Sequence, residues 1–137
     1  MRKIGRAILV AWVIAHGPAL AQDGANSEIT GVIQSQIDAF LAEDQVTAFG
    51  FASPMIQGMF GSPDNFRRMV ETGYPMIWHP SSVEFLGNRS QGEKVYQRVL
   101  VRDAAGAVFL FDYEMVNLPG GWKINGVYPV KGEDVGA

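Results

Sequence analysis

The chain has 137 residues, 11 of them basic and 14 acidic, with a net charge of −3, two histidines and no cysteine. That length holds one core and not comfortably two, and the lack of thiols excludes disulfide staples, cysteine-linked lipid and thiolate metal centres. The acidic balance, with Arg67-Arg68 as the one basic doublet past the first residues, argues against nucleic acid or anionic lipid as a partner.

Arg2, Lys3 and Arg6 precede an uncharged apolar run, Ala7 to Ala15, which His16-Gly17-Pro18 brings to a halt. Ala19-Leu20-Ala21 then supplies the small-x-small pattern of a signal peptidase site. The pattern predicts a secretory signal peptide over residues 1–21, cleaved after Ala21. An apolar run this short falls well below the roughly 20 residues a spanning helix needs. Cleavage removes three of the 11 basic residues, leaving eight against 14 acidic ones, a balance of −6. The processed protein is expected to be periplasmic or secreted, with no membrane attachment.

Residues 22–27 read as a flexible polar leader, 28–131 as a single domain and 132–137 as a C-terminal tail. From Ser27, a plausible N-cap, Ile29, Val32, Ile33, Ile37, Phe40 and Leu41 recur at helical steps, while Glu28, Gln34, Ser35 and Asp38 take the other side. A second short helix is expected over Asp44 to Ala52, capped by Asp44, with Val46, Phe49 and Phe51 turned inward and Ser53-Pro54 as its stop. Met55 to Phe60 is ambiguous and fits one further turn. Ser62-Pro63 opens a third helix running to about Thr72, with Asp64 in its first turn and Gly73 as a left-handed C-terminal cap.

Beyond Tyr74-Pro75 the period becomes two. Met76 to His79 and Val83 to Leu86 read as short extended segments. Lys94 to Arg102 and Ala107 to Val116 read as strands joined by the turn Asp103-Ala104-Ala105-Gly106, and Trp122 to Val130 reads as the last strand after Pro119-Gly120-Gly121. Alternation buries Phe109, Phe111, Tyr113 and Met115, turns Asp112 and Glu114 outward, and sends Val95, Gln97, Val99 and Val101 inward, with Trp122 and Ile124 joining them. Helices followed by a meander predict an α+β domain, its N-terminal helices packed on a curved antiparallel sheet.

The stretch Gln36 to Leu86, with Ala48-Phe49, Ala52-Ser53-Pro54, Phe60-Gly61, Met69-Val70 and Gly73-Tyr74-Pro75, together with YQRVLV at Tyr96 to Val101 and GWKINGV at Gly121 to Val127, resembles the bacterial exported family known as domain of unknown function 4864. The likeness runs from Ile29 to about Val130. It implies a cystatin-like cone of helices over a bent sheet, similar to nuclear transport factor 2 and ketosteroid isomerase. It implies no activity and carries no functional residues across, and cone folds of this kind hold isomerases, dehydratases and non-catalytic binders alike.

His79 is the one histidine left after processing, so a metal centre built on nitrogen and sulfur ligands cannot be assembled within the chain, and no metal or other cofactor is expected. No serine motif of the strand-turn-helix kind accompanies it, and no catalytic residue is assigned. His79 itself is either a turn residue or a general base in the cleft. Tyr113 and Tyr128 could serve as proton donors, yet the nearby acids fall on outward phases. Gln97, among inward valines, must bond to backbone or a tyrosine, or else address a ligand. Tyr74, Trp78, Phe111, Met115 and Trp122 are either core or the lining of a pocket.

The reading is therefore a non-catalytic exported domain that binds a small apolar or aromatic molecule, or a protein partner, in a cleft between sheet and helices. Its candidate residues are Tyr74, Trp78, His79, Gln97, Phe111, Tyr113, Met115, Trp122 and Tyr128. A cofactor-free isomerase or dehydratase using the same cleft is the alternative. Pairing as a homodimer through the open sheet face would use outward Val108 and Leu110. Expressed in a Gram-negative host, the periplasmic product is expected to begin at Gln22 by intact-mass measurement; a cytosolic product retaining Met1 would overturn the signal-peptide assignment.

Overall fold

A computed structural model describes residues 10–131, with side chains from residue 26 on. The basic residues Arg2, Lys3 and Arg6 and the tail 132–137 lie outside the described residues. Helix α1 spans Val10–Leu41, so Ser27 stands inside it and is not its N-cap. The Thr30 hydroxyl bonds back to the carbonyls of Asn26 and Ser27, at 3.1 and 3.3 Å, as helix-interior threonines do. The expected stripe holds except at its end: Ile29, Ile33, Ile37 and Phe40 are buried and Val32 partly so, while Leu41, in the last turn, is exposed along with Glu28, Ser35 and Asp38. Glu43 ends the helix in a left-handed conformation, φ 57°, and lets the Asp44 amide reach back to the Ala39 carbonyl at 2.8 Å.

Asp44 then caps α2, Gln45–Gly50, its carboxylate accepting from the Thr47 amide at 3.1 Å and the Thr47 hydroxyl at 2.7 Å. Val46 does not face inward; it is 67% exposed, because the one inward line of so short a helix is taken by Ala48, two residues on and so on the other side. Ser53-Pro54 is a start as well as a stop. The Ser53 hydroxyl accepts from the Ile56 amide at 3.3 Å and Pro54 occupies the first position of α3, Pro54–Phe60. Ser62 and Pro63 repeat the device for α4, Pro63–Gly73, which buries Phe66 and Val70. Gly73 closes that helix within it, and Tyr74 at φ −138° is the C-cap, so no left-handed glycine is used there.

Met76 to His79 is not extended. Pro75–Trp78 forms α5, a single turn whose proline suits the first helical position and whose Ile77 and Trp78 are buried. The chain therefore carries five helices in its described part, where the sequence pattern had indicated three. Four antiparallel strands follow in chain order across one sheet: β1 Ser82–Gln91, β2 Lys94–Arg102, β3 Val108–Leu118 and β4 Gly121–Pro129. In the β2–β3 turn the Asp103 carboxylate accepts from the amides of Ala105 and Ala107, and Gly106 takes φ 87°. The architecture is α+β, with helices on one face of an open antiparallel sheet. The exposed edge of β4 is covered by the α2–α3 linker, where the Ser53 amide donates to Ile124 and the Ile124 amide to Phe51, at 2.8 and 3.0 Å.

The sheet bends at two irregularities. Between Phe85 and Asn88, β1 places Leu86 and Gly87 against the single residue Arg98. Such a bulge withdraws a carbonyl from the ladder, and Gln97, buried on the inner face, supplies the missing donor: its amide nitrogen lies 2.7 Å from the Leu86 oxygen and 3.0 Å from that of Arg98. Its oxygen accepts from Asn88 at 3.2 Å. The second irregularity, between Glu114 and Met115, makes Asn125 the extra residue of β4.

Asp112 and Glu114 point away from the helices as expected, but neither is wet. They are 7% and 5% exposed. Arg98 grips Asp112 through two bonds of 2.9 and 3.0 Å and Arg89 adds one of 3.2 Å, while Glu114 accepts from Tyr96 at 2.9 Å and Asn125 at 2.6 Å and pairs with Lys94 at 3.3 Å. The Arg98 bonds, opposed by burial and joined by those of Arg89, hold the Asp112 carboxyl below its ordinary range. For Glu114 burial pushes the carboxyl up, and the combined bonds from Asn125, Tyr96 and Lys94 more than reverse it.

Two tests follow from this packing. Gln97→Leu keeps the volume but orphans the Leu86 carbonyl, and urea denaturation is expected to show a loss of about 2 kcal/mol; an unchanged midpoint would mean the bulge needs no such donor. Both acids have lowered folded-state pKa values, so their contribution is complete above the unfolded values and fades as pH falls through the folded ones. Glu114→Gln should therefore be less stable than the parent by about 2 kcal/mol near pH 7 and nearly equal to it near pH 3; a gap independent of pH would contradict the linkage.

Candidate functional site

Protein interiors leave few voids larger than a water molecule, yet between the helices and the β3–β4 half of the sheet lies a cavity of about 290 Å³. Helix α1 contributes Gln36 and Phe40, α3 contributes Met55, Ile56, Met59 and Phe60, and α4 contributes Phe66, Met69 and Val70. Tyr74 and Ile77 close one side, and the sheet supplies Tyr113 and the run Ile124 to Tyr128. Four rings meet at Phe66, whose centroid lies 6.0 Å from Phe40, 5.4 Å from Phe49 and 5.8 Å from Phe60. Tilted and edge-on pairs of this kind each add about 1 kcal/mol beyond burial, and here they tie α1, α2, α3 and α4 together at Phe66.

The solvent edge of the cavity is looser. Helix α3 buries none of its residues, and Met55 and Met59, one turn apart, are 54% and 64% exposed where the cavity meets solvent. Unbranched thioether chains adapt to whatever lies against them. Tyr128, half-exposed, folds its ring back over β4; only a glycine at position 126 allows this, since a Cβ there would stand 2.7 Å from the Tyr128 hydroxyl.

Polar groups in the lining are mostly spoken for. The Gln36 amide donates to the Ala48 carbonyl at 3.1 Å, tying α1 to α2. Asn125, placed by its bulge at the seam between cavity and outer face, accepts from the Ser53 hydroxyl at 2.6 Å and donates to Glu114 at 2.6 Å. Among the fully buried side chains of the described lining the exception is Tyr113. Its side chain is wholly buried, it lines the cavity, and no protein group among the described residues bonds to its hydroxyl. Burial pushes its phenol far above the ordinary value, so the group stays protonated and presents a donor.

Of the residues singled out from sequence, the fold brings Tyr74, Tyr113 and Tyr128 to this cavity. Phe111, Met115 and Gln97 lie in the packed layer beside it, with the Phe111 ring 6.0 Å from that of Tyr74. Trp122 faces a separate shallow depression with Glu28 and Val32. Trp78 is core, its ring held between Phe40 at 5.4 Å and the Arg67 guanidinium at 4.8 Å, and His79 is an exposed turn residue 3.7 Å from Glu43. Sequence reasoning did not single out Gln36, Asn125 or the three methionines. Gln36 had a signal, a polar residue three beyond Ile33 and four before Phe40 on the buried stripe; Asn125 had none, because a bulge breaks the alternation that would have located it.

No curated protein matches the chain at a significant level. The profile of one family, described as a domain of unknown function (DUF4864), matches residues 22–137, a span that contains every residue lining the cavity, and the chain belongs to that family.

Proposed function

We propose that this domain binds a small apolar or aromatic molecule in the cavity between its helices and sheet, without transforming it, and that export of the chain sets this binding outside the cytoplasm. The observation that carries the reading is an apolar space of about 290 Å³, near the lower end of ligand-pocket sizes, left open in a core that is otherwise packed. The flexible methionine rim offers an entrance, and the aromatic wall offers broad contact.

An isomerase or dehydratase would need an acid or base against the bound molecule. The described lining holds neither a carboxylate nor a histidine. The nearest carboxylate through bonded atoms, Glu114, sits behind Asn125 on the far face, with its oxygens engaged by Tyr96, Asn125 and Lys94. Binding without turnover fits this arrangement better.

The neutral fluorophore N-phenylnaphthylamine reports entry into an apolar cavity by its emission. Wild-type protein is expected to bind it saturably, and Met69→Trp, which fills the half-buried wall of α4, is expected to lose that binding while keeping its thermal midpoint within about 5 °C. Equal binding by the folded variant would place the probe elsewhere and defeat the reading.

A further inference from the structure

A buried hydroxyl without a partner is costly, and native proteins rarely keep one where nothing answers it. Tyr113 keeps one at the wall of an apolar cavity. Packing alone does not call for it: the residue sits at the centre of β3, opposite Gln97 on one neighbouring strand and Val127 on the other, and phenylalanine would fill the same space without the orphaned group. We infer that Tyr113 is the specificity-determining contact of this cavity, and that the ligand class is a neutral, largely apolar molecule carrying one hydrogen-bond acceptor, such as a ketone, ester or ether oxygen. The inference rests on the cavity being a ligand site.

Three features narrow the class. The phenol keeps its proton at any physiological pH, and although its oxygen can also accept, it is an acceptor atom on the ligand that answers the unbonded O–H. No lysine or arginine belongs to the described lining, so a carboxylate would be buried there without a counter-charge, which is strongly unfavourable. Gln36 and Asn125 are tied to Ala48 and Glu114, and Tyr74 and Tyr128, which also line the cavity, are not fully buried, so Tyr113 is the one fully buried hydroxyl in the described lining left without a bond. Tyr113 binds and orients in this account; it is not a catalytic residue.

Three probes of similar shape test this: acetylnaphthalene, ethylnaphthalene, which lacks only the oxygen, and naphthoate, which adds the charge. Calorimetry on the wild-type protein is expected to rank the ketone about tenfold tighter than the hydrocarbon, equivalent to about 1.4 kcal/mol, with the anion weakest. Tyr113→Phe should stay folded, with an unchanged or higher thermal midpoint since the orphan group is gone, and should bind ketone and hydrocarbon within about twofold of each other. The carbonyl stretch of the bound ketone should shift to lower frequency in the wild type and not in the variant, a signature independent of how well the variant folds. Ketone and hydrocarbon binding equally to the wild type, or the ketone preference surviving Tyr113→Phe, overturns the role of Tyr113 while leaving the cavity as a binding site. Failure of both neutral probes to bind removes the binding site itself, and the inference with it.

Discussion

The burial of the inward side chains of β3 in one core with the isoleucine row of α1 is the constraint on which the other elements depend. Phe111 to Met115 are five consecutive buried residues, three facing the helices and two facing the other way. A strand buried on both faces in a sheet with helices on only one must find cover for the second, and here the cover is ionic. Arg89, Arg98 and Lys94 lie over Asp112 and Glu114, so each carboxylate is shielded by the long aliphatic stems of the cations that neutralise it. Truncating one partner of such a pair is far more harmful than never having had it, because the charge left behind is still out of water.

Much of this was legible in the residues. The bounds of β2, the inward phase of β3, the caps at Asp44 and Ser62 and the identity of Gln97 as the one polar member of an apolar row follow from periodicity and local chemistry. Other elements were ambiguous for physical reasons. Ser-Pro closes a helix by restricting the residue before the proline and opens one by presetting its first turn, so Ser53-Pro54 carries both meanings and the sequence does not define α3. Pro75 did the same for α5, where a single turn is too short for any helical period to register. The outward phase of Asp112 and Glu114 is legible but their burial is not, since the cations that cover them come from other strands and their meeting depends on register.

The cavity was legible only in outline. Aromatic residues in the right phase can fill a core or line a pocket, and composition does not distinguish the two. Which happens is decided by how closely the helices approach, and here the approach is set by small contacts far from any aromatic: Ala48 against α1, Ser53 against β4, Asn125 at its bulge. These hold the α2–α3 linker to the sheet edge and so keep α3 standing off from Tyr113. The unanswered hydroxyl could not be read from sequence at all, because having no partner is a property of the surroundings.

Helix α3 has a consequence of its own. It is anchored at both ends, by the Ser53 cap and by Gly61, whose left-handed φ of 81° lets its amide close the helix on the Gln57 carbonyl. Between those anchors it contributes no fully buried side chain. Ile56 and Phe60 pack partly against the core and Gln57 donates to the Phe49 and Ala52 carbonyls at 3.0 Å, yet segments without fully buried side chains open below the free energy of global unfolding. Under the proposed binding role, this least buried part of the wall is where the chamber would give way to a bulkier guest, and the dwell time of an occupant would depend on how often that segment opens.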